Sequence, residues 1–323
     1  MQPIPSKEHR LFRYISTVFL VASVVYLAYE ITRFTGYSDM LAALKASSRV
    51  NFIWLIAVVA LLPFNWLMET LKWKRVCRYL EKFRIGTAFK AVLAGASSGF
   101  VTPNRLGDII GRIHFLQPEN RKSAVSLAAI NSLTQNIAIL LPGIPLAILF
   151  FMQQKTEIQS VTYLIFLTAI FLLFSITLLM LPRIANRIKI QKLQPYFIGL
   201  KEYAVKDLVI ITAWSLLRFL IFCLQLFLML RFFGVELSIT EALTSIPLTY
   251  LLVTFTPSFA FSEAVIRGSW AVFVIGHFAA NTPGILMAGV GLWFINVIIP
   301  VVNGNILLLK LRFRKASSLS NFW

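Results

Sequence analysis

The chain has 323 residues, of which 58% are hydrophobic and only 14% charged, and its formal net charge is +18. This apolar content exceeds what the core of a soluble protein requires, so the composition excludes a soluble fold and predicts a polytopic membrane protein. The basic residues lie beside apolar segments, which favours a membrane-topology signal over nucleic-acid binding.

Six apolar segments have roughly twenty or more residues, the length that a helix needs to cross a bilayer. In chain order they are residues 11–30, 51–71, 124–151, 161–181, 208–232 and 284–309. The first follows Lys7, Arg10 and Arg13 and continues without a small-residue cleavage site. We therefore expect this segment to be an uncleaved first helix.

Two further apolar segments are each interrupted by a Thr-Pro pair. Residues 87–101 lead to Pro103, and residues 241–255 lead to Pro257, with a threonine before each proline. As a helix, each first arm would be about 22 Å long, which is short of the ~30 Å apolar core of a bilayer. Proline disfavours helix in the residue before it and lacks a backbone donor, so each arm should end there.

The segments that follow the two prolines, residues 108–116 and 263–276, are also too short to cross a bilayer. Each break therefore predicts a re-entrant hairpin rather than two full spans. We assign Pro103, Gly107 and Pro257 to the hairpin tips as structural residues.

The distribution of basic residues predicts the orientation. If each hairpin returns to the side from which it enters, 21 of the 31 Lys and Arg residues lie on one side, 5 lie on the other and 5 are embedded. The richer side comprises residues 1–13, 72–84, 117–123, 183–207 and 310–315. This bias predicts that both termini are cytoplasmic. It also predicts that the first hairpin enters from the cytoplasm and the second from outside.

The two hairpins resemble each other in sequence. In the first, Asp108 is followed by Arg112. In the second, Glu263 is followed by Arg267 at the same i+4 spacing, which places both members of each pair on one helix face. Because the hairpins would enter from opposite sides, the pattern predicts an inverted-topology repeat. Chance is the alternative interpretation, since an acid followed by Arg at i+4 is common in helices.

The predicted fold is therefore an all-α, polytopic integral membrane protein with about six full transmembrane helices and two re-entrant helical hairpins in an inverted repeat. The whole chain, 1–323, would form a single transmembrane domain. Its first repeat would cover about 51–151 and its second about 208–309.

The embedded charges form the candidate site. A charge at bilayer depth costs at least ~2.5 kcal/mol, so it is normally paired or exposed to water. Two interpretations stay open: i,i+4 pairs that only lock each hairpin, or a polar cavity at the membrane midplane. The second predicts that substrate binding or translocation uses Arg105, Asp108, Arg112, Arg218, Glu263 and Arg267. Arg218 would need Asp108, Glu263 or a bound phosphate as its counter-charge.

Other polar residues in the apolar segments allow simpler explanations. Glu69 closes the second predicted span and is expected at the membrane interface. Asn131 and Gln135 are expected to form interhelical hydrogen bonds. The chain contains none of the common catalytic, nucleotide-binding or metal-ligand motifs. We therefore expect a protein that is not an enzyme and that uses no cofactor or metal.

Two motifs carry a resemblance to a known family. "TPNRLGDIIGRIHFL" is similar to the Pro…Arg-x-Gly-Glu…Arg signature of the lysylphosphatidylglycerol synthase transmembrane (flippase-like) family, and "TPSFAFSEAVIRGSWAVF" is similar to its second signature. The resemblance covers about residues 12–309. The matching positions are Pro103, Arg105, Gly107, Asp108 and Arg112 in the first motif and Pro257, Glu263 and Ala264 in the second.

Departures from the family pattern bear on the identity of the substrate more than on the fold. The acid of the first motif is Asp108 rather than Glu, and Ser258 and Ala260 stand where the second motif has glycines. Asn131 and Gln135 stand where the family tends to have an Arg and an Asp.

The resemblance implies a bacterial inner-membrane protein that moves lipids between leaflets, without the C-terminal synthase domain that some members carry. We therefore expect a flippase for an anionic or polyprenyl-linked (glyco)lipid, whose headgroup passes a central polar cavity. The alternatives are a secondary transporter of a small polar solute and a non-catalytic membrane partner of a lipid-modifying enzyme. The expected partners are membrane lipids, not nucleic acid. A homo-oligomer and a separately encoded lipid-biosynthesis enzyme stay open.

Overall fold

A computed structural model describes residues 38, 52–102, 105–153, 158–258 and 262–320. The predicted first span, residues 11–30, and the predicted hairpin-tip residue Pro103 lie outside these ranges. All regular secondary structure within them is helical, which confirms the predicted all-α fold.

Eleven α-helices in the described ranges are labelled in chain order. They are α1 Phe52–Val76, α2 Ile85–Phe100, α3 Asp108–Ile113, α4 Arg121–Gln153, α5 Ile158–Arg187, α6 Gln194–Phe197, α7 Val205–Phe232, α8 Ile239–Phe255, α9 Ser262–Ile275, α10 Thr282–Trp293 and α11 Ile299–Ser320. Short 3-10 turns cover Pro118–Asn120 and Ile198–Leu200. A π-turn, Phe294–Ile298, joins α10 to α11 without a break in the helical path.

Five helical segments of the described chain are long and apolar enough to cross a membrane. They are Phe52–Val76, Pro118–Met152, Thr168–Arg187, Val205–Phe232 and Thr282–Lys310. Each corresponds to one of the five predicted spans after residue 50. The chain is therefore a multi-pass membrane protein.

The first of these helices extends beyond its predicted end. The predicted span ends at residue 71 and leaves Lys72 in a cytoplasmic loop, whereas α1 continues to Val76. Lys72 is fully buried because its Nζ donates a hydrogen bond, 2.7 Å long, to the backbone carbonyl of Asn131. This contact with α4 draws the end of α1 into the protein.

Two pairs of shorter helices occupy the positions of the predicted hairpins. α2 packs against α3, and α8 packs against α9. α2 has 16 residues and α8 has 17, so each first arm is about 25 Å long, shorter than a typical bilayer core. The helices end where they were predicted to end, before Thr102 and at Phe255.

The packing of these pairs against the long helices is reciprocal. α2, the first arm of the first pair, packs against α11 in the second half of the chain. α8, the first arm of the second pair, packs against α4 in the first half. α1 and α7, the helices that precede the two pairs, pack against each other. Each half of the chain thus completes the packing of the other.

One end of the α1–α7 contact is fixed by a carboxylate. Asp207, in the first turn of α7, pairs with Arg75 and Arg78 at 2.9 Å each. It also accepts a 2.7 Å hydrogen bond from the hydroxyl of Tyr79. The hydroxyl of Tyr203 donates to the carbonyl of Val76, the last residue of α1. These contacts set the spacing of α1 and α7 at the basic side of the protein.

Candidate functional site

The turn of the first helix pair contacts the second pair through one ion pair. Arg105 Nη2 lies 2.8 Å from Glu263 Oε2, and Arg105 Nε lies 3.3 Å from the same oxygen. Arg105 has a φ of +57°, a left-handed conformation that is uncommon for a residue with a side chain. This conformation belongs to the turn that joins α2 to α3, and the ion pair compensates part of its strain.

Glu263 is shared between two arginines. Its Oε1 lies 2.7 Å from Arg267 Nη2 and 3.1 Å from Arg267 Nε, so the predicted i,i+4 pair of α9 is present. The Arg267 guanidinium also lies 5.9 Å from the ring centroid of Tyr250 on α8. One carboxylate in the second pair therefore holds a cation of its own helix and a cation of the first pair.

The predicted i,i+4 pair of the first helix pair is present as well, and it continues into the long helices. Arg112 Nε lies 2.7 Å from Asp108 Oδ2, and Arg112 Nη2 lies 2.7 Å from Glu69 Oε1 on α1. The second oxygen of Glu69 lies 2.7 Å from Arg218 Nη1 on α7. Asp108, Arg112, Glu69 and Arg218 thus form one chain of ion pairs across three helices.

Glu69 is 1% exposed, because it is enclosed by Arg112, Arg218 and Asn131. One expectation about these ion pairs is wrong. Arg218 is paired with Glu69, not with Asp108 or Glu263, because α1 is the helix that packs on α7 at this level.

Sequence reasoning missed Glu69 and Lys72 as members of the site. A signal was available: Asn65, Glu69 and Lys72 occur at i, i+4 and i+7, a spacing that places them on one face of α1. Asn131 Nδ2 donates to Glu69 Oε1 at 3.2 Å, as the predicted interhelical role requires. Gln135 reaches α7 as well, with Nε2 lying 3.5 Å from the carbonyl of Ser215.

A network of amides extends the ionic chain towards the π-turn. Arg218 Nε donates to Asn65 Oδ1 at 2.9 Å. Asn65 Nδ2 lies 3.4 Å from Asn296 Oδ1, and Asn296 Nδ2 donates to Gln225 Oε1 at 3.1 Å. Asn296 lies within the π-turn, a widening of the helix that is frequent at functional sites. The network links α1, α7 and the α10–α11 junction.

The charges at this site do not cancel. Three carboxylates, those of Glu69, Asp108 and Glu263, pair with four guanidinium groups. The cations are Arg105, Arg112, Arg218 and Arg267. The formal charge of these seven residues is therefore +1, so the site has more positive charge than its own acids neutralise.

The threonines that precede Pro103 and Pro257 each connect the two helices of their pair. The hydroxyl oxygen of Thr102 accepts a 2.7 Å hydrogen bond from the backbone N–H of Gly107 and donates to the carbonyl of Gly99. The hydroxyl oxygen of Thr256 accepts a 2.9 Å hydrogen bond from Trp270 Nε1 and donates to the carbonyl of Leu252. Each threonine thus joins the end of the first arm to the returning arm.

The first helix pair is in very close contact. A Cβ at Gly107 would lie 2.3 Å from the carbonyl oxygen of Ser98, and one at Gly111 would lie 2.2 Å from that of Ala94. The predicted tip residue Gly107 is therefore required for close approach, since its φ of −66° is accessible to any residue. Pro257, the predicted tip of the second pair, lies exposed after α8.

A cavity of about 70 Å³ adjoins the ionic chain beside the first helix pair. The residues lining it come from α1, from the α2–α3 turn with α3, and from α4. They are Trp73, Arg105, Leu106, Asp108, Ile109, Arg112, Ala128, Asn131 and Ser132. The Arg112 guanidinium lies 5.1 Å from the ring centroid of Trp73, so a cation and an aromatic ring form one wall.

The structure thus places all six predicted site residues in one connected region. Arg105, Glu263 and Arg267 form one ionic group, while Asp108, Arg112 and Arg218 join through Glu69 to form the other. The cavity, whose other walls include α4, is lined by three of the six: Arg105, Asp108 and Arg112.

Comparison with known families finds one match. The family described as "Lysylphosphatidylglycerol synthase TM region" matches residues 14–260 of this chain. A comparison with curated proteins returns no match. The matched range includes α1 to α8, the Thr-Pro pairs of the two interrupted segments and the cavity, and it ends before Glu263 and Arg267.

Proposed function

Because the chain belongs to the family of the lysylphosphatidylglycerol synthase TM region, which links it to lipid handling in a membrane, we propose that it moves a lipid with an anionic headgroup between the two leaflets. A polyprenyl-linked lipid with an anionic headgroup fits the proposal equally. The protein assists transfer and changes no covalent bond. The membrane is the bacterial inner membrane, with both termini on the cytoplasmic side.

The observation that carries the proposal is the ionic group shared by the two helix pairs. Arg105 of the first pair is bound by Glu263 of the second, and the ion pairs of the site have together a formal excess of one positive charge. Buried or partly buried charge is unfavourable in a membrane unless a counter-charge compensates it. An anionic headgroup supplies that counter-charge as it passes.

The surface beside the cavity suits a lipid. Arg105 is 44% exposed, and the neighbouring Leu106 is 66% exposed. An exposed leucine in a membrane protein contacts acyl chains without penalty, while the adjacent guanidinium is available to a headgroup. A lipid therefore has a place for its headgroup at Arg105 and for its chains against Leu106.

The reciprocal packing of the two halves supports an inverted repeat. α2 packs on α11 and α8 packs on α4, so exchange of the two halves preserves the pattern of contacts. In the proposal these helix pairs are re-entrant hairpins that enter from opposite sides, and the site lies where they meet. Alternation between two such halves is a general means of moving a substrate past a fixed site.

The proposal is tested by comparing a lipid with a small solute in the same proteoliposomes. Transfer of fluorescent phosphatidylglycerol is followed by chemical quenching from outside, and uptake of radiolabelled glycerol 3-phosphate is followed in parallel. We expect lipid transfer above the rate of protein-free liposomes, and a loss of at least tenfold in Glu263→Gln. Uptake of the solute without lipid transfer would replace the proposal with a solute transporter. If neither lipid transfer nor solute uptake is observed, the remaining candidate function is that of a membrane partner for a lipid-modifying enzyme.

A further inference from the structure

The cavity beside the first helix pair contains hydrogen-bonding atoms that the described part of the chain leaves unpaired. They are Trp73 Nε1, Arg112 Nη1 and Asn131 Oδ1. The three residues are 0%, 6% and 8% exposed, and all three line the cavity. Two N–H donors and one carbonyl acceptor of these lining residues are therefore buried without a partner in the described part of the chain.

Buried polar atoms without partners are rare, because each loses the hydrogen bonds that water would provide. Three of them at one cavity indicate a ligand or ordered water. The volume of about 70 Å³ has room for about two waters. It therefore suits a small polar group rather than a whole lipid.

The charge at the cavity selects for an anion. Arg105 and Arg112 line it together with one carboxylate, that of Asp108. Asp108 is paired with Arg112 Nε and Glu69 with Arg112 Nη2, which leaves Arg112 Nη1 without a partner in the described part of the chain. Guanidinium groups bind the oxygens of phosphate through directed N–H donors, and an indole N–H adds a further donor at a fixed position.

We propose that this cavity is a subsite for the phosphate group of the transported lipid, an inference that rests on the proposed function. Trp73 Nε1 and Arg112 Nη1 donate hydrogen bonds to the phosphate oxygens. Asn131 Oδ1 accepts a hydrogen bond from a hydroxyl group of the same headgroup. The ligand class is thus a phosphate ester that carries a hydroxyl, with its apolar part directed towards Leu106.

The residues at the mouth of the cavity favour a lipid over a free phosphate ester as the molecule that carries the phosphate. Ser132 on α4 and Leu106 in the α2–α3 turn are both exposed there. The exposed leucine gives the acyl chains an apolar contact, whereas a free phosphate ester would gain nothing from it.

The test measures phosphate-dependent stabilisation of the purified full chain in a maltoside detergent, which contains no phosphate. Added phosphatidylglycerol is compared with diacylglycerol of the same chains, and soluble glycerol 3-phosphate with potassium chloride at equal ionic strength. A ligand that binds the folded state raises the Tm, and the concentration dependence of this rise gives a Kd.

Trp73→Phe keeps an aromatic ring beside Arg112 but removes the N–H donor. We expect its Kd for phosphatidylglycerol to be about tenfold higher than that of the wild type, the effect of one hydrogen bond to a charged group. Trp270→Phe is the matched control, because it removes an indole donor that binds Thr256 away from this cavity. We expect its Kd to be unchanged.

Ser132→Asp tests the same cavity without altering the buried wall. The added carboxylate at the mouth should repel a phosphate and raise the Kd about tenfold or more. Ser132→Ala removes the hydroxyl without adding charge, so a Kd for Ser132→Asp well above that for Ser132→Ala is the effect of the added charge. If Trp73→Phe fails to fold, the comparison of Ser132→Asp with Ser132→Ala still tests whether phosphate binds in the cavity.

The outcomes separate the subsite from the proposed function. A rise in Tm with phosphatidylglycerol alone, lost in Trp73→Phe and Ser132→Asp, supports the subsite even if proteoliposomes show no lipid transfer. Equal stabilisation by diacylglycerol, or no stabilisation by any probe, overturns it and leaves water in the cavity. Stabilisation by glycerol 3-phosphate alone overturns the lipid assignment. Wild-type lipid transfer in both variants overturns the subsite while the proposed function stands.

Discussion

Arg105 and Glu263 lie 158 positions apart in the chain, yet their side chains form an ion pair with 2.8 Å between Nη2 and Oε2. The pair joins the turn of the first interrupted helix to the returning arm of the second. Because Arg267 holds the other oxygen of Glu263, release of Arg105 does not leave the carboxylate without a cation. In the proposed function, an anion that competes for Arg105 would open this contact between the halves.

Glu69 on α1 is the carboxylate that binds α7 through Arg218 and α3 through Arg112. It is 1% exposed and pairs with both Arg112 and Arg218. Glu69→Gln preserves the shape but leaves two buried guanidinium groups without this counter-charge. We expect the free energy of unfolding to fall by about 3 kcal/mol or more, measured by thermal denaturation in detergent.

Glu81→Gln is the control for this change. Glu81 lies in the connection after α1, where it accepts a hydrogen bond from the backbone of Gln117. We expect its Tm to stay within a degree or two of the wild type, since surface interactions contribute roughly 0–1 kcal/mol. A Tm for Glu69→Gln equal to that of Glu81→Gln would contradict the central position assigned to Glu69.

Gly111 is predicted to be intolerant of any side chain. A Cβ there would lie 2.2 Å from the carbonyl oxygen of Ala94, a backbone atom that moves only with the whole of α2. We expect Gly111→Ala to lower the free energy of unfolding by about 1–3 kcal/mol, or to abolish folding, because α2 and α3 must separate.

Gly86, at the start of the same helix α2, provides the matched comparison. A Cβ there meets nothing within 4 Å. Gly86→Ala should therefore leave the Tm unchanged or slightly raised, since alanine restricts the unfolded chain. Equal tolerance of both substitutions in an expression and thermal-stability assay would argue against the close packing of α2 on α3.

Cys77, which follows α1, is predicted to be chemically inert. It is 0% exposed, and burial raises the pKa of its thiol well above the ordinary value. In a Cys223→Ser background, we expect almost no alkylation of the native protein at pH about 8.5, where an exposed cysteine is half thiolate.

The same shift has a consequence for stability. Because the folded-state pKa is raised, the folded form keeps a proton that the unfolded form loses above the ordinary thiol pKa. The contribution of Cys77 is thus complete at neutral pH and declines as the pH rises above that value. Unfolding in detergent should restore rapid alkylation, and rapid alkylation of the native protein would show that Cys77 is not enclosed.

The sequence predicted those features that depend on local patterns. Helix spans follow from the length of apolar runs, and the Asp108–Arg112 and Glu263–Arg267 pairs follow from i+4 spacing. The end of α1 was misplaced because the length rule counts Lys72 as a loop residue. The carbonyl of Asn131, on another helix, accepts the hydrogen bond of Lys72 Nζ inside the protein.

Contacts between segments that are distant in the chain could not be predicted from the sequence. The partners of Glu69, Arg112 and Arg218, are brought to it by the packing of α3 and α7. The partner of Arg105 likewise depends on how the two helix pairs meet. Local rules identified charged residues that need compensation, but the choice of partner is made by tertiary packing.

The most direct test of the account measures transfer of fluorescent phosphatidylglycerol between the leaflets of proteoliposomes that contain the wild type, Arg105→Ala, Arg105→Lys or Lys82→Ala. Lys82 is an exposed cation in the connection after α1 and serves as the control. The account predicts transfer at least tenfold slower in Arg105→Ala, partial recovery in Arg105→Lys because the charge returns without the planar guanidinium, and the wild-type rate in Lys82→Ala. Transfer at the wild-type rate in Arg105→Ala, or a wild type no faster than protein-free liposomes, would contradict it.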